Sequence, residues 1–383
     1  MLLSKIMRQQ PLWAPVDNQG GVHVIRTMAV RTKVTLTLLV VAMVAAFGGQ
    51  TVSAQTPTSG EANLAAIKQY VVDQAAIQKT ATEQLVRFAG RYAVLAEGAG
   101  YDYQAMWDSN TPETAGLLAA VKAEWVKAHN AYEMNEGLIA GIPSLSYYHV
   151  WIDAGPSEID DPAEALDWTV TLSDGTTLVK PGNIFHSLTE PIIWGTVDEY
   201  IALQVDLDAD GTLELGEVLP EAKIFLATVQ ALDDATAQMQ TAVNEWEPTI
   251  EDAFSALVTM LPTMSEYFEQ WKLSSFVTGD SSTETGFVAG SRLVEVNGIV
   301  NGLALTYSQI SPVVAAADSE LNTQIEAGFS DLVSFVTELY EQELGGKQFT
   351  AEEAELFGTE AQARATALTG QISQVIALLG IQV

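Results

Sequence analysis

Residues 292–310 read Arg-Leu-Val-Glu-Val-Asn-Gly-Ile-Val-Asn-Gly-Leu-Ala-Leu-Thr-Tyr-Ser-Gln-Ile. Leu293, Val296, Val300, Leu303, Tyr307 and Ile310 recur in alternating steps of three and four, the period that places them on one face of an α-helix. Two later stretches repeat the pattern: Leu321, Ile325, Phe329, Leu332, Val336 and Leu339, then Ala361, Ala365, Leu368, Ile372, Val375 and Leu379. Each stripe buries one face and leaves a polar one, which is how antiparallel bundles are built. Upstream, Leu64, Ile67, Val71, Leu85, Phe88 and Tyr92 predict a long helix over 61–96. Thr111 as N-cap, Pro112 in the first helical position and Glu113 in the first turn predict a second helix, running to about Gly137. A helix over about 183–204 and another ending near Glu245 are expected next. Trp246-Glu247-Pro248 marks a boundary, because Pro disfavours a helical residue before it. A shorter helical segment broken at Pro262 and a loop at 279–282 follow. The expected fold class is all-α, with two tandem four-helix bundles over residues 55–247 and 248–383. The first carries a loop insertion over 141–182, with a hairpin at Val170–Val179 turning around Ser173-Asp174-Gly175.

The N-terminus predicts export. Arg31 and Lys33 precede the apolar run Val34–Phe47, and Val52-Ser53-Ala54 supplies small residues for cleavage after Ala54. Residues 1–54 are therefore a leader, with the signal peptide over 28–54, and residues 1–27 are expected to lie upstream of the true start at Met28. The apolar run is shorter than the ~20 residues a membrane span needs, so membrane contact is expected only through the leader before cleavage. Destination is periplasmic or extracellular. The chain has no cysteine, which excludes disulfides and thiolate metal sites. Beyond residue 54, 12 basic residues face 48 acidic ones, a net charge of −36. Such a surface repels nucleic acid and anionic membranes and attracts cations.

Residues 206–217 read Asp-Leu-Asp-Ala-Asp-Gly-Thr-Leu-Glu-Leu-Gly-Glu. Carboxylates fall at loop positions one, three, five, nine and twelve of an EF-hand-type calcium loop: Asp206, Asp208, Asp210, Glu214 and Glu217. The Thr212 carbonyl takes position seven, Gly211 makes the turn at position six, and Leu213 fills the apolar slot at position eight. A hard cation wants six to eight oxygens, so the expected ion is Ca2+, held as a structural clamp between flanking helices.

A second constellation combines imidazole and carboxylate. On one helix His129, Tyr132, Glu133 and Glu136 share a face. Further on, His186 and Glu190 lie four apart. An imidazole with two or three carboxylates from facing helices is how a bundle core holds a transition metal. Trp125, Ala128, Tyr132, Glu133 and Glu136, followed later by Phe185-His186, Glu190 and Trp194-Gly195, resemble the imelysin-like family over roughly residues 61–345. The resemblance implies an exported, all-helical protein of two pseudo-symmetric four-helix bundles with a metal site near the His/Glu helix. It also implies kinship with the periplasmic iron-binding component of Efe-type iron uptake. The family spaces its His and Glu three apart; here the spacing is four, and Pro191 follows directly, removing one backbone hydrogen bond. Asp153 and Asp160 are expected beside the site, as acidic residues are in this stretch of relatives. The transition-metal set is thus His186, Glu190, Glu133, Glu136, His129 and Asp153. His149, near Tyr147, Tyr148 and Trp151, is read as aromatic packing, and Trp125 and Trp194 as bundle packing.

Three functions remain open on these residues. The first is an exported protein that handles iron or another divalent ion for uptake, with a membrane iron transporter as partner and calcium as a structural ion. The second is a calcium-stabilised extracellular interaction protein with a vestigial His site and a surface partner. The third is a metallopeptidase, as the family's other name, peptidase M75, suggests. The zinc-peptidase helix His-Glu-x-x-His is absent from the sequence, so the enzyme reading is the weakest.

Overall fold

Among the residues described by the computed structural model, 60–282 and 284–383, the chain is mostly helical. The expectations for the leader over 1–54, including signal peptide and start codon, lie outside the described residues.

Helix α1 (Leu64–Gly98) starts where the Asn63 side chain accepts from the Ala66 N–H. It buries Ile67, Val71, Leu85 and Tyr92 of the expected stripe, together with Ala75 and Ala89, while Leu64 and Phe88 are half-buried. Helix α2 (Tyr103–Ile139) begins earlier than the Thr111-Pro112 signal predicts, with Asp102 as its cap. That signal marks a kink instead: Asn110 leaves helical geometry at φ −135°, ψ 23°. Pro112 lacks the N–H that would continue the ladder. The Asn110 amide and the Thr111 hydroxyl turn back to the carbonyls of Met106 and Trp107.

The 141–182 stretch holds a short helix α3 (Ser146–His149), which runs into a π-helical turn over Val150–Ala154. Strands β1 (Thr169–Thr171) and β2 (Thr177–Val179) form the expected antiparallel hairpin, with Val170 opposite Leu178. The helix expected over 183–204 is not there. A π-turn over Phe185–Thr189 passes into α4 (Glu190–Trp194), which stops at the left-handed Gly195. Strand β3 (Ile201–Gln204) follows and pairs with β4 (Val218–Pro220). The first set therefore has three long helices rather than four: α1, α2 and α5 (Ala222–Glu245).

Past Pro248 come α6 (Ile250–Met260), opened by a Thr249/Asp252 capping box, and a 3-10 turn at Pro262. Then come α7 (Met264–Leu273), the single turn α8 (Ser275–Thr278), α9 (Arg292–Ala317), α10 (Ser319–Leu344) and α11 (Ala351–Leu379). Helix α1 packs on α2 and α5, while α9 packs on α10 and α11 on α7 and α10. The two sets meet where α9 lies against α2. There a Cβ on Gly298 would stand 2.7 Å from the Glu133 carbonyl oxygen, so glycine permits an approach that no larger residue would. This crossing turns polar side chains of α2 and α9 toward one another, deep in the protein.

Candidate metal centre

Five segments converge at the α2–α9 crossing. Helix α2 supplies His129, Glu133 and Glu136; the α3 segment supplies His149 and Asp153; the π-turn and α4 supply His186 and Glu190. Helix α9 adds Arg292 and Glu295, and α7 adds Tyr267. All are buried except His149, whose side chain is half-buried.

The His129 and His186 rings face each other, Nε2 to Nε2, at 3.3 Å. His129 Nε2 is also 3.1 Å from Glu133 Oε1 and 3.8 Å from Glu295 Oε1. His186 Nε2 is 3.2 Å from Asp153 Oδ1. One donor atom each from His129, Glu133, His186 and Glu295 can be chosen so that all lie within 4.8 Å of one another. A tetrahedral ion at roughly 2.1 Å from each donor would set them about 3.4 Å apart. Neither Glu133 oxygen, nor Glu295 Oε1, nor Asp153 Oδ1 receives a hydrogen bond. Close contact without hydrogen-bond geometry is what ligands aimed at a common point produce. A buried carboxylate with no donor is costly unless a cation or a proton meets it.

Glu190 stands differently. Its Oε2 is 2.7 Å from His186 Nδ1 and accepts from the Phe287 N–H at 2.8 Å. Its Oε1 accepts from the N–H groups of Val288, at 2.8 Å, and Ala289, at 2.7 Å. All of its lone pairs are engaged. Glu190 thus fixes His186 with Nδ1–H toward the carboxylate and Nε2 toward the cluster, the outer-shell arrangement that orients metal-binding imidazoles. The three successive N–H groups form an anion nest, opened by Phe287 at φ +57°, a left-handed conformation rare for a bulky residue. The Phe287 ring lies 4.0 Å from the His186 ring, and the Arg292 guanidinium lies 3.4 Å from the Phe287 ring centre. Arg292 also pairs with Glu295.

The four-residue His186–Glu190 spacing is accommodated by the π-turn. With more than four residues per turn, it keeps i and i+4 nearly in line. Pro191 falls in the first turn of α4, where its missing N–H is least costly.

The electrostatics follow from this crowding. Burial pushes His129 down to about 3, and the neighbouring His186 adds to the shift. Burial also works to lower His186, but Asp153 and Glu190 beside it raise it overall. Asp153 is held down to about 2, because the imidazoles of His186, His149 and His129 outweigh its burial. Burial drives the Glu133 carboxyl well above the usual range, and the charges of Glu136 and Asp153 push the same way.

Three residues here were not singled out from sequence: Glu295, Arg292 and Tyr267. The Tyr267 hydroxyl donates to Glu136 Oε1. His149, read as aromatic packing, instead lies 3.0 Å from the Tyr132 hydroxyl and 3.9 Å from both Glu136 Oε1 and Asp153 Oδ2. Asp160 is away from the cluster, exposed and hydrogen-bonded to Ser157. Trp125 stacks on His129 with ring centroids 4.9 Å apart and donates its indole N–H to Thr189.

The 206–217 loop is a separate feature. It joins strands β3 and β4, not two helices, so the flanking helices of an EF-hand are replaced by a two-stranded ribbon. The carboxylates of Asp206, Asp208 and Asp210 come within 4.8 Å of one another. Asp206 accepts from the N–H groups of Asp210 and Gly211, and Asp210 from the N–H and hydroxyl of Thr212. Glu217 accepts from the Leu207 and Glu214 N–H groups, which draws the end of the loop onto its start. The Glu214 side chain is exposed. Leu213 is 60 % exposed and fills no apolar slot. A ribbon offers no helix face at that position for it to pack on.

No curated protein matches the chain. The imelysin family model (Peptidase_M75) matches residues 209–379. The match takes in α5 to α11, and with them Tyr267, Arg292 and Glu295 of the cluster, while His129, Glu133 and His186 precede it. From within the acidic loop to the last helix, over residues 209–379, the chain is similar to imelysin.

Proposed function

We propose that this is an exported imelysin-like metal-binding protein that holds iron or another divalent transition ion at the α2–α9 crossing, for hand-over to a membrane iron transporter. The observation that carries the reading is the pair of imidazole nitrogens 3.3 Å apart, ringed by buried carboxylate oxygens that receive no hydrogen bond. His129, Glu133, His186 and Glu295 would hold the ion. Two neutral imidazoles with two carboxylates suit iron, zinc or copper and balance a divalent charge. Glu190 and its nest would set the orientation of His186. The loop over 206–217 would hold Ca2+ through Asp206, Asp208, Asp210, the Thr212 carbonyl, Glu214 and Glu217, as a structural ion bracing the ribbon. Peptide hydrolysis fits less well, because the candidate ligands are at most 6 % exposed and an extended peptide could not reach them without opening the crossing. The test is metal content of the purified protein after exposure to calcium, iron, copper and zinc, beside His186→Ala. A transition ion that disappears in the variant while calcium stays supports the reading. Calcium alone, unchanged by the substitution, overturns it and leaves the calcium-stabilised interaction protein.

A further inference from the structure

Adjoining the four-residue set is a second group of donors: Glu136, His149 and Asp153, again with one donor atom each within 4.8 Å of the others. Glu136 is fully buried and Asp153 is 4 % exposed. Glu136 Oε2 and Asp153 Oδ1 have no hydrogen-bond partner. The Tyr132 hydroxyl, 3.0 Å from His149 Nδ1, adds a neutral oxygen to the group. Asp153 stands between the two sets, with Oδ1 at 3.2 Å from His186 and Oδ2 at 3.9 Å from His149.

From this geometry we infer that the centre is dinuclear, with a second divalent ion on Glu136, His149 and Asp153, and Asp153 bridging it to the first. This rests on the mononuclear reading above and extends it. The charge of the chamber decides between one ion and two. Metal binding displaces the proton that burial otherwise keeps on Glu133, and the five buried carboxylates (Glu133, Glu136, Asp153, Glu190 and Glu295) then face one buried guanidinium, Arg292, a net charge of minus four with the imidazoles neutral. One divalent ion would leave two negative charges uncompensated in a water-poor interior, whereas two bring the chamber to neutrality. The ligands divide in the same way. Glu133 and Glu295 with two imidazoles serve the first ion; Glu136 and Asp153 with one imidazole and a phenol serve the second. A carboxylate using one oxygen toward each ion is a familiar bridge in helical-bundle dimetal sites.

The experiment is a titration of the full chain with Co2+ in excess calcium, which keeps the acidic loop filled, followed by counting bound cobalt per chain. Two equivalents are expected for the wild type and one for His149→Ala. His149→Gln serves as a second variant of similar bulk, and thermal melts verify that each variant is folded. Loading with Mn2+ gives an independent readout: an exchange-coupled paramagnetic spectrum in the wild type, converted to that of an isolated ion in Asp153→Asn or His149→Gln. One equivalent in the wild type, kept in both His149 variants and lost in His186→Ala, would overturn the second ion and leave the single-ion reading intact. Two equivalents unchanged by the His149 variants would also overturn it. No bound cobalt would overturn both readings.

Discussion

The two acidic regions solve the same problem in different ways. In the 206–217 loop, carboxylates crowd together on the surface, and the backbone itself answers them: Asp206, Asp208, Asp210 and Glu217 all accept peptide N–H groups. In the α2–α9 chamber, helices have already spent their N–H groups on their own ladders, so side-chain carboxylates facing inward find few donors. Glu190 is the exception, because a non-helical nest of three N–H groups meets it. Glu133 is the opposite case, with both oxygens unanswered. The difference teaches that burial alone does not make a carboxylate a ligand; burial without donors does.

Removing the best-answered carboxylate should do the most damage to the fold. Glu190→Ala strands three backbone donors and frees His186, and the expected loss is about 3–5 kcal/mol of stability. Chemical denaturation without metal measures it. A loss below about 1 kcal/mol would mean that the nest does not depend on Glu190, and the contrast with Glu133 would collapse.

Calcium should act next most strongly. At a hundredfold excess over its Kd, an ion bound only by the folded chain adds about 2.7 kcal/mol. The rise in melting temperature with calcium should vanish in Asp206→Ala. If that variant responds to calcium as the wild type does, the ion sits elsewhere among the carboxylates.

The sharpest contrast is a reversal of sign at Glu133. With a chelator present, burial raises the Glu133 pKa, so at neutral pH folding must take up a proton that the unfolded chain does not hold; Glu133→Gln removes that cost, and the variant should be more stable by about 1–2 kcal/mol. With Zn2+ present, the same change deletes a ligand and should leave the variant less stable than the wild type. Paired melts with chelator and with zinc read both signs, and a variant less stable in both conditions would make Glu133 an ordinary structural residue.

Sequence periodicity reached the helices with good fidelity where each had one buried face. The stripes of α1, α9, α10 and α11 face the core as read, with Leu64, Phe88, Leu321 and Leu379 only half-buried. It failed where local chemistry has two meanings. Thr111-Pro112 starts helices and also kinks them, and here the helix is already under way from Asp102, so the signal becomes a kink at Asn110. The acidic loop fixes its own turns but not its flanks, so a ribbon took the place of helices. In the chamber, His129, Glu133 and Glu136, and separately His186 and Glu190, were legible as polar residues that share helix faces, while Asp153 entered only through the family resemblance. Their division into inward-facing donors and an orienting residue was not, because it depends on the 287–289 backbone, distant in sequence. Glu295 did have a signal. It lies three residues from Arg292 and shares a helix face with Ile299 and Gly302, an apolar second stripe that points to burial.

Glu343 offers a smaller test, away from any candidate ligand. It is partly buried at the end of α10, where the Trp271 indole N–H donates to it at 2.8 Å. It is therefore intermediate, answered by a side chain rather than by peptide groups or a cation. Burial raises its pKa above the ordinary value of 4.5, and hydrogen bonds from Ser291 and Trp271 only partly offset the shift. With the folded value above the unfolded one, the unfolded chain releases its proton first as pH rises. The stability that protonated Glu343 contributes is thus complete below about pH 4.5 and declines as pH climbs through the folded value. Glu343→Gln keeps an acceptor for Trp271 but does not titrate. The variant should therefore match the wild type near pH 4 and gain on it at neutral pH, by less than the change at Glu133. Urea unfolding at the two pH values reads the difference directly. If the variant instead loses ground as pH rises, the indole alone meets the charge, and one well-placed neutral donor is worth more to a half-buried carboxylate than the contrast between loop and chamber implies.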